Sequence, residues 1–185
     1  MITDEEILKK AGNLNDLIET QWINQIFLSP SWIFQVVLII FTYTIFFYLV
    51  DKKRITEILL YGSLVAVAFA VYDSIGEQLN YWATLENVLP FQPNFFLGNI
   101  TLIPLYAMLV YQYNSTWRSY LIWITIWSGL LAFVYYNLIL DYFNIFVYIK
   151  KFSATIDFFL FLIVGIIVRW IVVSLLKLEE KRKVR

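Results

Sequence analysis

Apolar residues gather along this chain into five long runs parted by short polar or aromatic stretches. The runs cover about residues 31–50, 55–73, 95–113, 119–140 and 155–176. Within each run the apolar positions fall on every face rather than at every second residue, so helices are predicted and not barrel strands. A helix rises about 1.5 Å per residue, and roughly 20 residues cross a ~30 Å hydrocarbon layer. The pattern predicts an all-α fold: a polytopic transmembrane helical bundle, residues 31–176, with about five spanning helices. Ahead of it, residues 1–30 are polar, with Ile7, Leu8, Ala11, Leu14, Leu17 and Ile18 near helical spacing. Trp22, Phe27 and Trp32 follow. A short N-terminal interfacial helix is expected, its aromatics at headgroup depth.

Two stretches fit no spanning helix. Residues 141–152 are aromatic but too short, and read as an interfacial segment. Residues 81–94 hold Trp82, Pro90 and Pro93 and no basic residue. They form either a surface loop or one dipping back, which irregular backbone tolerates only when shielded from lipid.

Composition sharpens the picture. Of 185 residues 61% are hydrophobic and 15% charged, against about 45–50% and about 25% in soluble domains. A water-soluble domain this small leaves too much surface exposed to hide that much apolar area. Net charge is zero, so no nucleic-acid partner is expected. The absence of Cys and His excludes disulfides, thiol nucleophiles, imidazole bases and the usual zinc, haem and iron–sulfur ligand sets. No metal and no cofactor are expected. The opening Met1-Ile2-Thr3-Asp4-Glu5-Glu6 lacks the layout of a secretory leader, so the first apolar run is expected to be retained.

Where the basic residues fall predicts orientation. Lys52, Lys53, Arg54, Arg118, Lys177, Lys181, Arg182, Lys183 and Arg185 lie on one side; Lys9, Lys10, Lys150 and Lys151 lie on the other. Nine against four places the N-terminus outside a cell membrane and the basic tail, residues 177–185, in the cytoplasm.

The second run carries the main candidate chemistry. Gly62, Ala66 and Ala70 recur at helix-packing spacing, a seam along which another helix approaches closely. Asp73 and Glu77 continue that face. If the helix extends so far, both acids point into the bundle, suited to holding a proton, a cation or a polar ligand group. The alternative is that they mark where the helix leaves the membrane, with Gly76 at its end. In the third run, Asn99 and Thr101 precede Pro104, which is expected to kink a helix. They either satisfy freed carbonyls or line a polar pocket. Asn137 is a further inward candidate. In the fifth run, Arg169 is expected to snorkel to the interface, with an intramembrane ion pair to Glu57 as the alternative. Asp157 is expected at the outer interface or in an acidic cluster with Asp73 and Glu77.

Asp73-x-x-Gly76-x-x-Leu79-x-x-Trp82, Leu89-Pro90, Thr101-Leu102-x-Pro104 and Tyr111-Gln112-Tyr113 with Trp117 resemble a family of small five-helix membrane proteins of spore-forming Firmicutes, over about residues 50–176. The resemblance implies a Gram-positive membrane protein and no particular activity. A weaker similarity is to the membrane domain of carotenoid (lycopene) cyclases, which also place an Asp, a Gly and a Trp before a Pro-bearing helix. Here Pro104 is followed by Leu105-Tyr106 and not by carboxylates, which speaks against a cyclase's acid chemistry.

Three functions remain open at this stage. The leading one is a membrane protein that binds or moves a small or lipid-like ligand, or serves a membrane complex, with membrane lipids as surroundings. The second is a membrane enzyme acting on an isoprenoid or lipid, using Asp73 or Glu77 as acid–base group. The third is a structural or assembly protein without a ligand site.

Overall fold

A computed structural model describes residues 3–90 and 97–183 of the chain. Its order is α1 (Asp4–Gln21), α2 (Pro30–Leu49), α3 (Ile55–Gln78), β1 (Trp82–Thr84), α4 (Ile103–Tyr113), α5 (Trp117–Gly129), β2 (Phe146–Tyr148) and α6 (Ser153–Lys183). A π-helical turn, Gly98–Leu102, leads into α4, and a π-helical stretch, Leu130–Leu140, prolongs α5.

Local chemistry explains the helix ends. Thr3 and Glu6 form a capping box at the start of α1. Ser29 caps the Trp32 amide while Pro30 sits in the first turn of α2, where its missing N–H costs nothing. Thr116 caps the Ser119 amide at the start of α5. Two helical stretches end alike, on an asparagine in the left-handed region: Asn80 (φ 54°) and Asn144 (φ 54°). The Tyr81 amide reaches back to the Gly76 carbonyl, and the Ile145 amide to the Leu140 carbonyl, the Schellman pattern at a helix C-terminus.

Each of these turns delivers the chain directly into a strand. β1 and β2 pair antiparallel, Trp82 opposite Tyr148, Ala83 opposite Val147 and Thr84 opposite Phe146. Among the described residues the fold is therefore helical apart from this two-stranded ladder, which joins part of the segment 141–152 to the start of the loop that begins at residue 81. The rest of the loop, as far as Pro90, is held down over the start of α2. Trp22 and Trp32 donate to the Asn87 and Val88 carbonyls, and Ser31 bonds the Glu86 carboxylate. Pro93, like the start of the third apolar run, lies outside the described residues.

The chain runs the length of the bundle five times, alternately up and down. Contacts at the ladder end tie together the start of α2, the end of α3, the π-turn at 98–102, the end of the α5 stretch and the start of α6. Contacts at the other end join the α2–α3 turn, the α4–α5 turn and Arg169 of α6. Among the described residues four helical stretches are long and apolar enough to cross a membrane: Pro30–Leu49, Lys52–Gln78, Trp117–Leu140 and Ser153–Arg182. The described part of the third run, Gly98–Tyr113, is shorter. Only 17% to 28% of the apolar window of each of the four is buried inside the bundle. Val37, Ile40 and Phe47 on α2, and Ile163, Ile167 and Trp170 on α6, face outward.

Several expectations need correction. Helix α1 is 18 residues long and exposed along most of its length, not a short element. The basic tail is not separate, because α6 continues through it to Lys183. Pro104 lies inside the continuous helical stretch Gly98–Tyr113, directly after the π-turn, where the helix changes from π to α geometry. The buried stripe of α3 is Ile58, Tyr61, Gly62, Val65, Phe69 and Gly76, which leaves Ala66 and Ala70 half-buried at its margin. Gly62 does admit a neighbour: a Cβ there would lie 2.3 Å from the Met108 sulfur of α4.

Candidate functional site

At the ladder end of the bundle, α3 and α6 each bring one carboxylate to the same small cavity. Asp73 accepts from Trp82 Nε1 at 2.9 Å on one oxygen and from Asn99 Nδ2 at 3.0 Å on the other. Asp157, only 3% exposed, accepts from the Tyr72 hydroxyl at 2.6 Å and the Tyr148 hydroxyl at 2.5 Å. All four carboxylate oxygens thus hold one neutral donor. No Lys or Arg forms an ion pair with either group among the described residues, so their charge is met by hydrogen bonds alone.

The ladder places these donors. Alternate residues of a strand share a face. With this register, Trp82 and Thr84 of β1 and Phe146 and Tyr148 of β2 all project to the same side. Trp82 reaches Asp73, Thr84 donates to Glu77 at 2.9 Å, Tyr148 reaches Asp157, and Phe146 walls the cavity. Burial and the adjoining Asp157 carboxylate push the Tyr148 phenol far above its ordinary range, so it remains a protonated donor. Gly76 matters here because a Cβ would lie 1.8 Å from the Trp82 ring. On the opposite wall, the Tyr136 hydroxyl stands where a Cβ on Gly98 would come within 2.6 Å.

The space between these groups has two chambers. One, about 10 Å³, is lined by both Asp73 and Asp157 together with Phe69, Ile103 and Phe161. The other, about 30 Å³, is lined by Asp73, Thr84, Gly98, Asn99 and Tyr136 among others. A chamber of ~10–15 Å³ takes one water. The site therefore accepts water-sized guests between two carboxylates.

The sequence-derived candidates meet this site unevenly. Asp73 and Asn99 are bonded to each other and line both chambers. Glu77 bonds Thr84 and lines neither, and Thr101 is buried and also lines neither. Asp157 joins Asp73 inside the bundle rather than resting at the interface. Asn137 is exposed and does not face inward. Tyr72, Trp82, Tyr136 and Tyr148 were missed, because aromatic residues near a helix end read as an interfacial belt. The signal available for two of them was an Asn with an aromatic two residues on, at Asn80–Trp82 and Asn144–Phe146, where a helix stops and a strand begins.

At the opposite end, Glu57 and Arg169 do not pair. Glu57 is held by Arg54 (2.7 Å and 3.0 Å) and by the Tyr111 hydroxyl (2.5 Å). Arg169 does not snorkel either: 3% exposed, it donates to the Asn114 and Ser115 carbonyls at 2.7 Å each. Its guanidinium lies over the rings of Tyr120 (4.2 Å), Trp117 (5.0 Å) and Tyr111 (5.6 Å). The carbonyl end of α4 attracts that charge, and the rings add cation–π contact.

Compared with family models, curated proteins and solved structures, the chain matches none of them.

Proposed function

We propose that the chain is a multi-pass cell-membrane protein, N-terminus outside, that takes up a small cation, the proton included, between Asp73 and Asp157. The membrane reading is supported by four long apolar helices that bury little of their surface in the bundle. Helices apolar on all sides need lipid or a larger protein around them.

One observation carries the site reading: two carboxylates line one water-sized cavity with neutral donors and no basic partner. Uncompensated acids at such depth are costly, and a positive guest removes the cost. The volume favours the smallest of the ligands considered above. An isoprenoid or acyl chain does not fit within about 30 Å³. A structural reading has its own support, since every carboxylate oxygen already holds a donor and the network ties α3, α6 and the ladder together.

Trp82 supplies the means to separate the two readings, because its indole N–H donates to Asp73. The fluorescence lost in Trp82→Phe is followed in the purified protein while pH, sodium and potassium are varied. Cation uptake predicts a saturable change in that signal, absent in Asp73→Asn and displaced along the titration axis in Asp157→Asn. Superimposable curves for all three proteins would leave only the structural reading.

A further inference from the structure

We propose that the crevice between α4 and α5, at the end of the bundle remote from the ladder, is a binding site for one anionic phospholipid. The crevice has a volume of about 340 Å³ and is lined by Leu109, Val110, Tyr113, Asn114 and Trp123. It opens on the outside of the bundle, where Tyr113 and Trp123 are 63% and 53% exposed. Its walls are mainly apolar, so an acyl chain suits it and a free polar solute does not.

Charge identifies the headgroup. The Tyr113 hydroxyl donates to the Leu49 carbonyl at 3.1 Å, and Gln112 bonds both Leu49 and the Asp51 amide. These bonds bring the turn carrying Lys52 and Lys53 against the α4 side of the crevice. On the α5 side, Ser119 bonds the Asn114 side chain, and Arg118 stands in the same first turn of α5, at this end of the bundle. Lys52, Lys53 and Arg118 are exposed, and none has a carboxylate bonded to it among the described residues. Arg54, by contrast, is occupied by Glu57. Three free cations above an apolar slot match a phosphate above an acyl chain, and basic pockets between helices are where anionic headgroups settle. The site shares no residue with the Asp73–Asp157 cavity.

The test uses the full chain in phosphatidylcholine nanodiscs carrying a minor fraction of phosphatidylglycerol. Bromine is placed on the tails of one lipid or the other, and the Trp123 contribution is the emission lost in Trp123→Phe. Brominated phosphatidylglycerol is expected to quench that contribution several-fold more than the same fraction of brominated phosphatidylcholine. Neutralising Lys52, Lys53 and Arg118 to Gln together should bring the two lipids to equal quenching, because the basic residues near the surface supply the attraction for the anionic headgroup. These side chains are exposed, so the variants keep the fold. Filling the slot with Val110→Phe should abolish selective quenching. Equal quenching by the two lipids, or a preference that survives the triple substitution, overturns the proposal. Protection of Trp123 from both lipids at high protein-to-lipid ratio would assign the crevice to a second copy of the chain and overturn it too.

Discussion

Deep in α6, Arg169 carries a full charge with 3% of its surface exposed, yet its hydrogen-bond partners are two main-chain carbonyls and not an acid. Its planar fork spans both carbonyls of the α4–α5 turn at once, a geometry an ammonium cannot copy. Arg169→Met should therefore destabilise the protein by about 2 kcal/mol, because donors to two carbonyls and cation–π contacts to three rings vanish together. Arg169→Lys should recover less than half of that loss. Reversible unfolding by a denaturing detergent in mixed micelles measures both. Equal stability of the Met variant and the parent would show that the turn holds without the guanidinium. The placement was not legible beforehand: an Arg two turns from a helix end reads as one that reaches for water, and the carbonyls that attract it belong to a turn some 55 residues away in the chain.

Among the elements, the helices follow from the pattern of apolar residues and the ladder does not. Ser29-Pro30, Thr116 and the apolar runs fix where α2, α5 and α6 begin, to within two residues of the expected boundaries. Trp82-Ala83-Thr84 and Phe146-Val147-Tyr148 are too short for their alternation to stand out, and pairing partners more than 60 residues apart leave no local trace. On α3, the spacing of Gly62, Ala66 and Ala70 pointed to the correct helix but to a face turned slightly off its buried stripe, because Tyr61, Val65 and Phe69 pack as fully as any small residue. The glycines of α3 differ in how far they can change. Gly76→Ala forces a Cβ against the Trp82 ring, pinned by its bond to Asp73, and should cost about 2–3 kcal/mol, the upper part of the usual overpacking range. Gly62→Ala meets the flexible end of Met108 and should cost about 1 kcal/mol. Thermal unfolding of the two variants under one detergent condition checks the order. A Gly76 variant as stable as the Gly62 variant would mean that the indole is free to move aside.

For the molecule as a whole, five passes along the bundle put α1 at the ladder end and the end of α6 at the other. The excess of basic residues then assigns the sides. The chain has no cysteine, so single-cysteine labelling is free of background. Asn13→Cys on exposed α1 should react with a membrane-impermeant maleimide on intact cells. Lys181→Cys, near the end of α6, should react only after permeabilisation. The reverse pattern would invert the proposed orientation and move the carboxylate cavity to the cytoplasmic side.

The ladder makes the cavity dependent on chain length in a way that no single side chain does. Trp82, Thr84, Phe146 and Tyr148 face inward together, while Ala83 and Val147 face away. Deleting Tyr81 would slide β1 by one step against β2 and bring Ala83 and Leu85 to the places of Trp82 and Thr84. Asp73 would lose the Trp82 indole and Glu77 the Thr84 hydroxyl, while Tyr148 on β2 keeps its bond to Asp157. Such a deletion would strip the lining that β1 supplies and leave the lining that β2 supplies.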